Sequence, residues 1–169
     1  IVGRANVGKS TLFNKLTQSR SAIVNDTPGV TRDRIYGSAD MGNRSALIVD
    51  TGGVDVDQNN PIELQVVEQG RWARDEADCV IIVVDNQEGL TPFDCEMVDE
   101  IRKSGKPYVL AVNKVDSPSQ HHILPEFTKL GVKYLQPISA EHGPGLYELI
   151  ETVAELLPEY VEPEVDSNA

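Results

Sequence analysis

Apolar residues follow two rhythms along this chain. Nearly unbroken runs at Cys79–Asp85 (CVIIVVD) and Tyr108–Asn113 (YVLAVN) suit strands buried on both faces of a parallel sheet. Tyr134–Ile138 reads as a shorter strand, and Ile1-Val2, directly before a glycine loop, as the end of a strand whose start lies upstream. Arg34–Asp40 and Ser45–Asp50 flank Met41-Gly42-Asn43 and predict a hairpin. Elsewhere apolar residues return every three to four positions, the helical period. This predicts helices at Lys9–Leu16, about Ile62–Asp75, Asp94–Lys103 with Gly105 as its stop, and Leu146–Leu157 with Leu146, Leu149, Ile150, Val153 and Leu157 inward. A weaker helix is expected over Ser119–Leu130. Arg20–Arg34 has no clean period and contains Pro28-Gly29, so it reads as a long mobile loop.

Six strands alternating with helices predict an α/β fold, a three-layer sandwich around a mostly parallel six-stranded sheet. Such sheets bind ligands at the carboxyl ends of their strands. Residues 1–158 read as one domain and 159–169 as an acidic linker or tail.

Composition narrows the partners. The formal net charge of -12 over 169 residues argues against this domain supplying a strong RNA-binding surface of its own. No apolar run approaches the ~20 residues needed to span a bilayer. Cys79 and Cys95 are the only thiols. Neither has metal-ligand spacing, and nothing calls for an oxidising compartment. A cytoplasmic location is expected.

Chemistry concentrates after the predicted strands. Gly3-Arg4-Ala5-Asn6-Val7-Gly8-Lys9-Ser10 fits G-x-x-x-x-G-K-[ST]. A short strand-to-helix loop of this kind aims backbone N–H groups at phosphate oxygens, and the helix N-terminus adds positive dipole character. Lys9 is expected on the β- and γ-phosphates, Ser10 on Mg²⁺ and Thr11 on the α-phosphate. This loop specifies a nucleoside triphosphate without choosing the base.

Asn113-Lys114-Val115-Asp116 makes that choice. The Asp116 carboxylate can accept from guanine N1–H and the 2-amino group, and adenine would leave it unpaired. Asn113 can reach the N7 region and tie this segment to the phosphate loop, and the Lys114 stem can lie over the base. Ser139-Ala140 follows the last strand, with the Ala140 N–H expected on guanine O6. GTP and GDP are the implied ligands.

Asp50-Thr51-Gly52-Gly53 fits D-x-x-G. Asp50 would hold Mg²⁺ through water, and the Gly53 N–H would sense the γ-phosphate. Thr31 and Thr27 both offer a hydroxyl to close over Mg²⁺. Val54 occupies the position where a glutamine would orient the attacking water. Asn6 offers an alternative source of transition-state stabilisation, by helping to coordinate K⁺ beside the phosphates. The reading is therefore a GTP hydrolase, with a nucleotide-dependent binding switch of negligible intrinsic hydrolysis as the alternative. A small-molecule kinase would leave NKVD and DTGG without a role.

Taken together, GRANVGKS, PGVTRDR (Pro28–Arg34), DTGG, NKVD and ISA resemble the first G domain of Der/EngA-type bacterial GTPases, in the Era-like group of P-loop GTPases. The resemblance runs from Ile1 to about Pro158. Ala5 departs from the proline usual there. The resemblance favours Thr31 over Thr27 as the Mg²⁺-side residue. It implies K⁺-stimulated hydrolysis and a role in large ribosomal subunit assembly. A second G domain and a KH-like domain are expected in the same chain, supplying the RNA contacts.

Overall fold

The computed structural model describes residues 1–17, 23–24, 35–42, 44–51, 61–116 and 125–159. Thr27, Thr31, Gly53, Val54, His121 and His122 lie outside them. In chain order the elements are α1 (Lys9–Leu16), β1 (Ile23–Val24), β2 (Ile35–Met41), β3 (Arg44–Asp50), α2 (Ile62–Glu76) and β4 (Val80–Asp85). They continue with α3 (Pro92–Ser104), β5 (Tyr108–Asn113), α4 (Pro125–Thr128), β6 (Leu135–Pro137) and α5 (Leu146–Leu156).

Every residue of β4 is buried, and strand geometry divides them between two cores. Val80, Ile82 and Val84 join Val66 and Trp72 of α2 and Met97, Val98 and Ile101 of α3. Ile81 and Val83 join Leu12 and Phe13 of α1 and Leu149 and Val153 of α5. A strand clothed by helices on both sides needs no polar face, which is why CVIIVVD lacks one. The expected layering, helices on both faces of a sheet, is what the two cores describe.

The sheet itself differs from the six-stranded, mostly parallel one expected. Hydrogen bonding gives two three-stranded sheets, β1-β2-β3 antiparallel and β4-β5-β6 parallel. Ile1 and Val2 lie between them. The Ile1 amino group donates to Val49 O at 2.7 Å and Thr51 N–H to Ile1 O at 3.3 Å. On the other side Val2 N–H donates to Ile81 O at 2.9 Å and Val83 N–H to Val2 O at 3.0 Å. Two residues make one isolated parallel bridge, Val2 with Ile82, rather than a ladder.

Local signals explain most boundaries. α3 starts at Pro92, two residues before the expected Asp94, because Thr91 is a reciprocal cap. Asp94 N–H donates to Thr91 Oγ1 and Thr91 N–H donates to Asp94 Oδ2. Gly105 ends the helix in a left-handed conformation, φ 74°. The hairpin falls as predicted, with Tyr36 paired to Val49 and Gly37 to Ile48. Two residues of the expected loop, Ile23 and Val24, form β1 on the β2 edge. Of the expected Ser119–Leu130 helix, the described part is the single turn α4, anchored by fully buried Phe127. Cys79 is partly buried against the core, as a small apolar residue would be.

The last helix offers a direct test of this packing. Leu149 is 0 % exposed and Tyr147, two positions earlier, is 69 % exposed. Leu149→Ala is expected to lower unfolding free energy by about 2–5 kcal/mol, and Tyr147→Ala by no more than about 0.5 kcal/mol. Urea denaturation of the two variants checks this.

Candidate functional site

The carboxyl ends of the strands converge on one face. Gly3 follows Val2, Asp50 ends β3, Asn113 ends β5, and Ser139-Ala140 follows β6. Their side chains and loops surround the start of α1. Gly8 is the residue before that helix, left-handed at φ 102°, ψ 22°, with no side chain capping the helix. The first-turn N–H groups are thus left for an external acceptor, and the dipole favours an anion. Gly8 is also dictated by its neighbour. A Cβ there would lie 2.2 Å from Asn113 Nδ2.

Lys9 is buried, and its ammonium donates to the Gly3 carbonyl, folding back over the loop. Burial lowers its pKa from 10.5 to about 8, opposed by the nearby Asp50 carboxylate. The Gly3 N–H donates to Gln69 Oε1 at 3.0 Å, so both backbone groups of Gly3 are engaged within the protein. Ser10 Oγ donates to Asp50 Oδ2 at 3.0 Å. This pairs a hydroxyl and a buried carboxylate, the hard oxygen donors that suit Mg²⁺. Among the described residues no cluster of three or more His, Cys, Asp or Glu could hold a metal. A pair of oxygen donors of this kind suits an ion that keeps several waters and takes phosphate oxygens.

Beside the phosphate loop lies a cleft of about 270 Å³ lined by Gly8, Thr11, Gln87, Asn113, Lys114, Asp116, Ala140 and Glu141. Asn113 anchors it. Its Nδ2 donates to Val7 O at 2.8 Å, the tie expected between the two motifs. Its Oδ1 accepts from Ala140 N–H at 3.0 Å. The Ala140 N–H, assigned from sequence to guanine O6, thus has an internal partner here. Asp116 is exposed at the cleft, and Ser139 Oγ donates to its Oδ1 at 2.8 Å. Lys114 Nζ pairs with Asp85 at 2.8 Å and donates to Asn6 O at 3.4 Å. Asn6 itself is exposed at a left-handed φ of 67°.

The structure thus brings together Gly3, Asn6, Val7, Gly8, Lys9, Ser10, Asp50, Asn113, Lys114, Asp116, Ser139 and Ala140, with Thr11 on the cleft wall. Thr31 and Gly53 lie outside the described residues. Three contributors had no motif to announce them. Gln69, buried in α2, takes Gly3 N–H and the Thr51 hydroxyl on one oxygen. Arg4 pairs with Glu88 across the loop after β4. Asp85 closes a strand that was read for its apolar run alone, although its place at a carboxyl end was a readable signal.

A larger cavity of about 750 Å³ lies elsewhere, lined by residues such as Ile1, Leu47, Trp72, Cys79 and Val153. It contains none of the motif residues. The smaller cleft is the better candidate because polar groups converge on it.

Comparisons with known proteins agree with this geometry. A family profile described as "50S ribosome-binding GTPase" matches residues 1–114. A protein named GTPase Der from Symbiobacterium thermophilum is 48 % identical over 165 residues, covering 97 % of this chain and 35 % of its own length. GTPase Der from Geobacillus thermodenitrificans is 46 % identical over 158 residues, covering 94 % of this chain and 36 % of its own. The chain therefore spans about a third of these relatives. Among solved structures, Era with MgGDPNP and nucleotides of 16S ribosomal RNA superposes with a TM-score of 0.72 at 30 % identity. It covers 96 % of this chain and 58 % of Era.

Lys9 makes the site sensitive to pH. With its folded pKa at about 8, below 10.5, the folded protein binds fewer protons than the unfolded chain between those values. Stability contributed by this group therefore rises with pH across that window. A polyphosphate beside the ammonium favours its charged form. GDP binding at about pH 9 is thus expected to take up more protons than at about pH 6.5, where Lys9 is already charged. Calorimetry in buffers of different ionisation enthalpy reads this directly; binding heats independent of buffer at the higher pH would contradict it.

Proposed function

The chain belongs to the 50S ribosome-binding GTPase family, and from that premise we infer that it binds GTP and GDP with Mg²⁺ and hydrolyses GTP to GDP and phosphate. One observation carries the reading. The Asn113 side chain joins the phosphate loop, at Val7, to the Ala140 loop, while Asp116 stands at the same cleft. Phosphate and base would thus be held by a single rigid frame.

In this scheme Lys9 turns from Gly3 O to the β- and γ-phosphates. The N–H groups at the start of α1 take the remaining phosphate oxygens. Ser10 would ligate Mg²⁺ directly, Asp50 through water, and Thr31 through its hydroxyl. Bound there, the divalent ion and a K⁺ held with the help of Asn6 would supply positive charge where the transition state gathers negative charge. The Gly53 N–H would report the γ-phosphate. Water attacks the γ-phosphorus, the bond to the β-phosphate oxygen breaks, and GDP leaves with its charge neutralised by these groups. Val54 offers that water no side-chain hydrogen bond. Cation assistance through Asn6 is accordingly central to turnover. The exposed position of Asn6 at the turn of the loop supports this.

The family description and the Der relatives support a place in large ribosomal subunit assembly. The net charge of -12 favours RNA contact through other domains, a second G domain and a KH-like domain in the same polypeptide. A cytoplasmic location fits that role. Residues 1–158 would act as the nucleotide domain and 159–169 as the linker.

Single-turnover hydrolysis in KCl and in NaCl tests the mechanism. Turnover is expected to be at least about tenfold faster in KCl, and Asn6→Ala should remove most of that difference. Equal rates in the two salts would reject the K⁺ role. Absence of turnover in both would favour the one competing reading, a binding switch without hydrolysis, which Val54 supports.

A further inference from the structure

We propose that Asp85 is the positioning residue for the nucleoside: its carboxylate aligns Lys114 along the base cleft before nucleotide arrives and fixes the backbone that brings Gln87 to the cleft wall. The inference rests on the guanine-binding reading above.

Asp85 ends β4 and is almost wholly buried. Both carboxylate oxygens are committed. Oδ1 accepts from Gln87 N–H at 2.8 Å and from Glu88 N–H at 3.2 Å. Oδ2 meets Lys114 Nζ at 2.8 Å. A buried carboxylate holding three donors is fixed in place by them. Its partner is the more exposed member of the pair, since the Lys114 side chain is 36 % exposed against 2 % for Asp85.

A lysine stem is flexible, and holding it in one direction costs rotamer entropy. Here three constraints have already removed that freedom. The backbone of Lys114 is left-handed at φ 67°, which sets where the stem starts. Asp85 sets where it ends. The carbonyl of Asn6, 3.4 Å from Nζ, holds the same end against the phosphate loop. Lys114, held at both ends, lines the cleft. A purine entering between Lys114 and the opposite wall would meet an apolar surface already in place, and binding energy is not spent ordering it.

The second arm reaches the nucleoside from another side. Gln87 lines the cleft, and its N–H is held by Asp85. One carboxylate therefore orders two walls, one from the segment after β5 and one from the loop after β4. Ser139 and Asp116 are untouched by it, so hydrogen-bond reading of the guanine edge should be independent of Asp85.

Asp85→Asn keeps the shape and removes the charge. It is expected to weaken GDP, GTP and ITP binding alike, by about 10- to 100-fold. The GTP-to-ITP preference should be preserved, because Asp116 reads the 2-amino group. In a Lys114→Met background the same substitution should cost less than about threefold, because the asparagine oxygen still accepts from Gln87 N–H and the arm through Lys114 is already gone. A full loss persisting in that background, or collapse of the GTP-to-ITP preference, overturns the proposal. Should Asp85→Asn not fold, the unaltered protein carries the test. The Lys114 ammonium, assigned with Lys114→Arg, should give a distinct slowly exchanging ¹⁵N signal both with and without GDP. A signal that appears only after loading overturns the proposal. If the unaltered protein binds neither GDP nor GTP, the guanine reading itself fails; if it binds both and Asp85→Asn binds as tightly, only the role of Asp85 does.

Discussion

The rest of the site depends on how one buried amide is satisfied. Asn113 stands at the end of a fully apolar strand, out of reach of water, and its two polar ends need partners. They are found in two different loops, Val7 O on one side and Ala140 N–H on the other. Leaving either end unpaired would cost about 1–3 kcal/mol, so the loops are held in mutual register by the same requirement. The closeness of that packing explains Gly8, where any side chain would collide with the amide. It also explains why α1 begins without a side-chain cap. The place a cap would occupy is kept clear, and Gly8 and Thr11 line the cleft instead.

A second junction ties the phosphate loop to the opposite half of the molecule. Gln69 Oε1 receives the Gly3 N–H and the Thr51 hydroxyl, and Thr51 Oγ1 also donates to Ile1 O at 2.7 Å. The residues of α2 before Gln69 are mostly exposed, and those from Gln69 to Ala73 are mostly buried. The helix is thus fastened at its middle to the segment that carries the phosphate loop. Ile1 and Val2 perform a similar service for the two sheets. Their hydrogen bonds on both edges hold an antiparallel and a parallel sheet side by side.

Much of this was legible in the chain because local chemistry and global position agreed. The apolar run of β4, the cap at Thr91 and the stop at Gly105 each announce a boundary. Asn113 could be assigned its tie to the phosphate loop because its motif follows a buried strand. Position within the sheet was not legible in the same way. That Ile1-Val2 sits between β3 and β4 depends on partners at Val49 and Ile81, distant in sequence. The Ala140 N–H went to Asn113 rather than outward because two loops meet there, a fact that the letters S-A do not carry. Gln69 is an ordinary helical residue by pattern, and its role exists only once α2 lies over Gly3. Asp85 stood at a telling position but was absorbed into an apolar run.

Arg44, at the start of β3, donates through Nη1 to Ala154 O at 3.1 Å and to Leu157 O at 3.2 Å, and through Nη2 to Pro158 O. A cation on the final carbonyls of a helix also complements its dipole. The outcome is mechanical. The β2–β3 hairpin, which lies in sequence between the segments carrying Thr31 and Gly53, and the last turn of α5 are clasped together. One guanidinium therefore ties the end of α5, as far as Pro158, to a hairpin more than a hundred residues earlier in the chain.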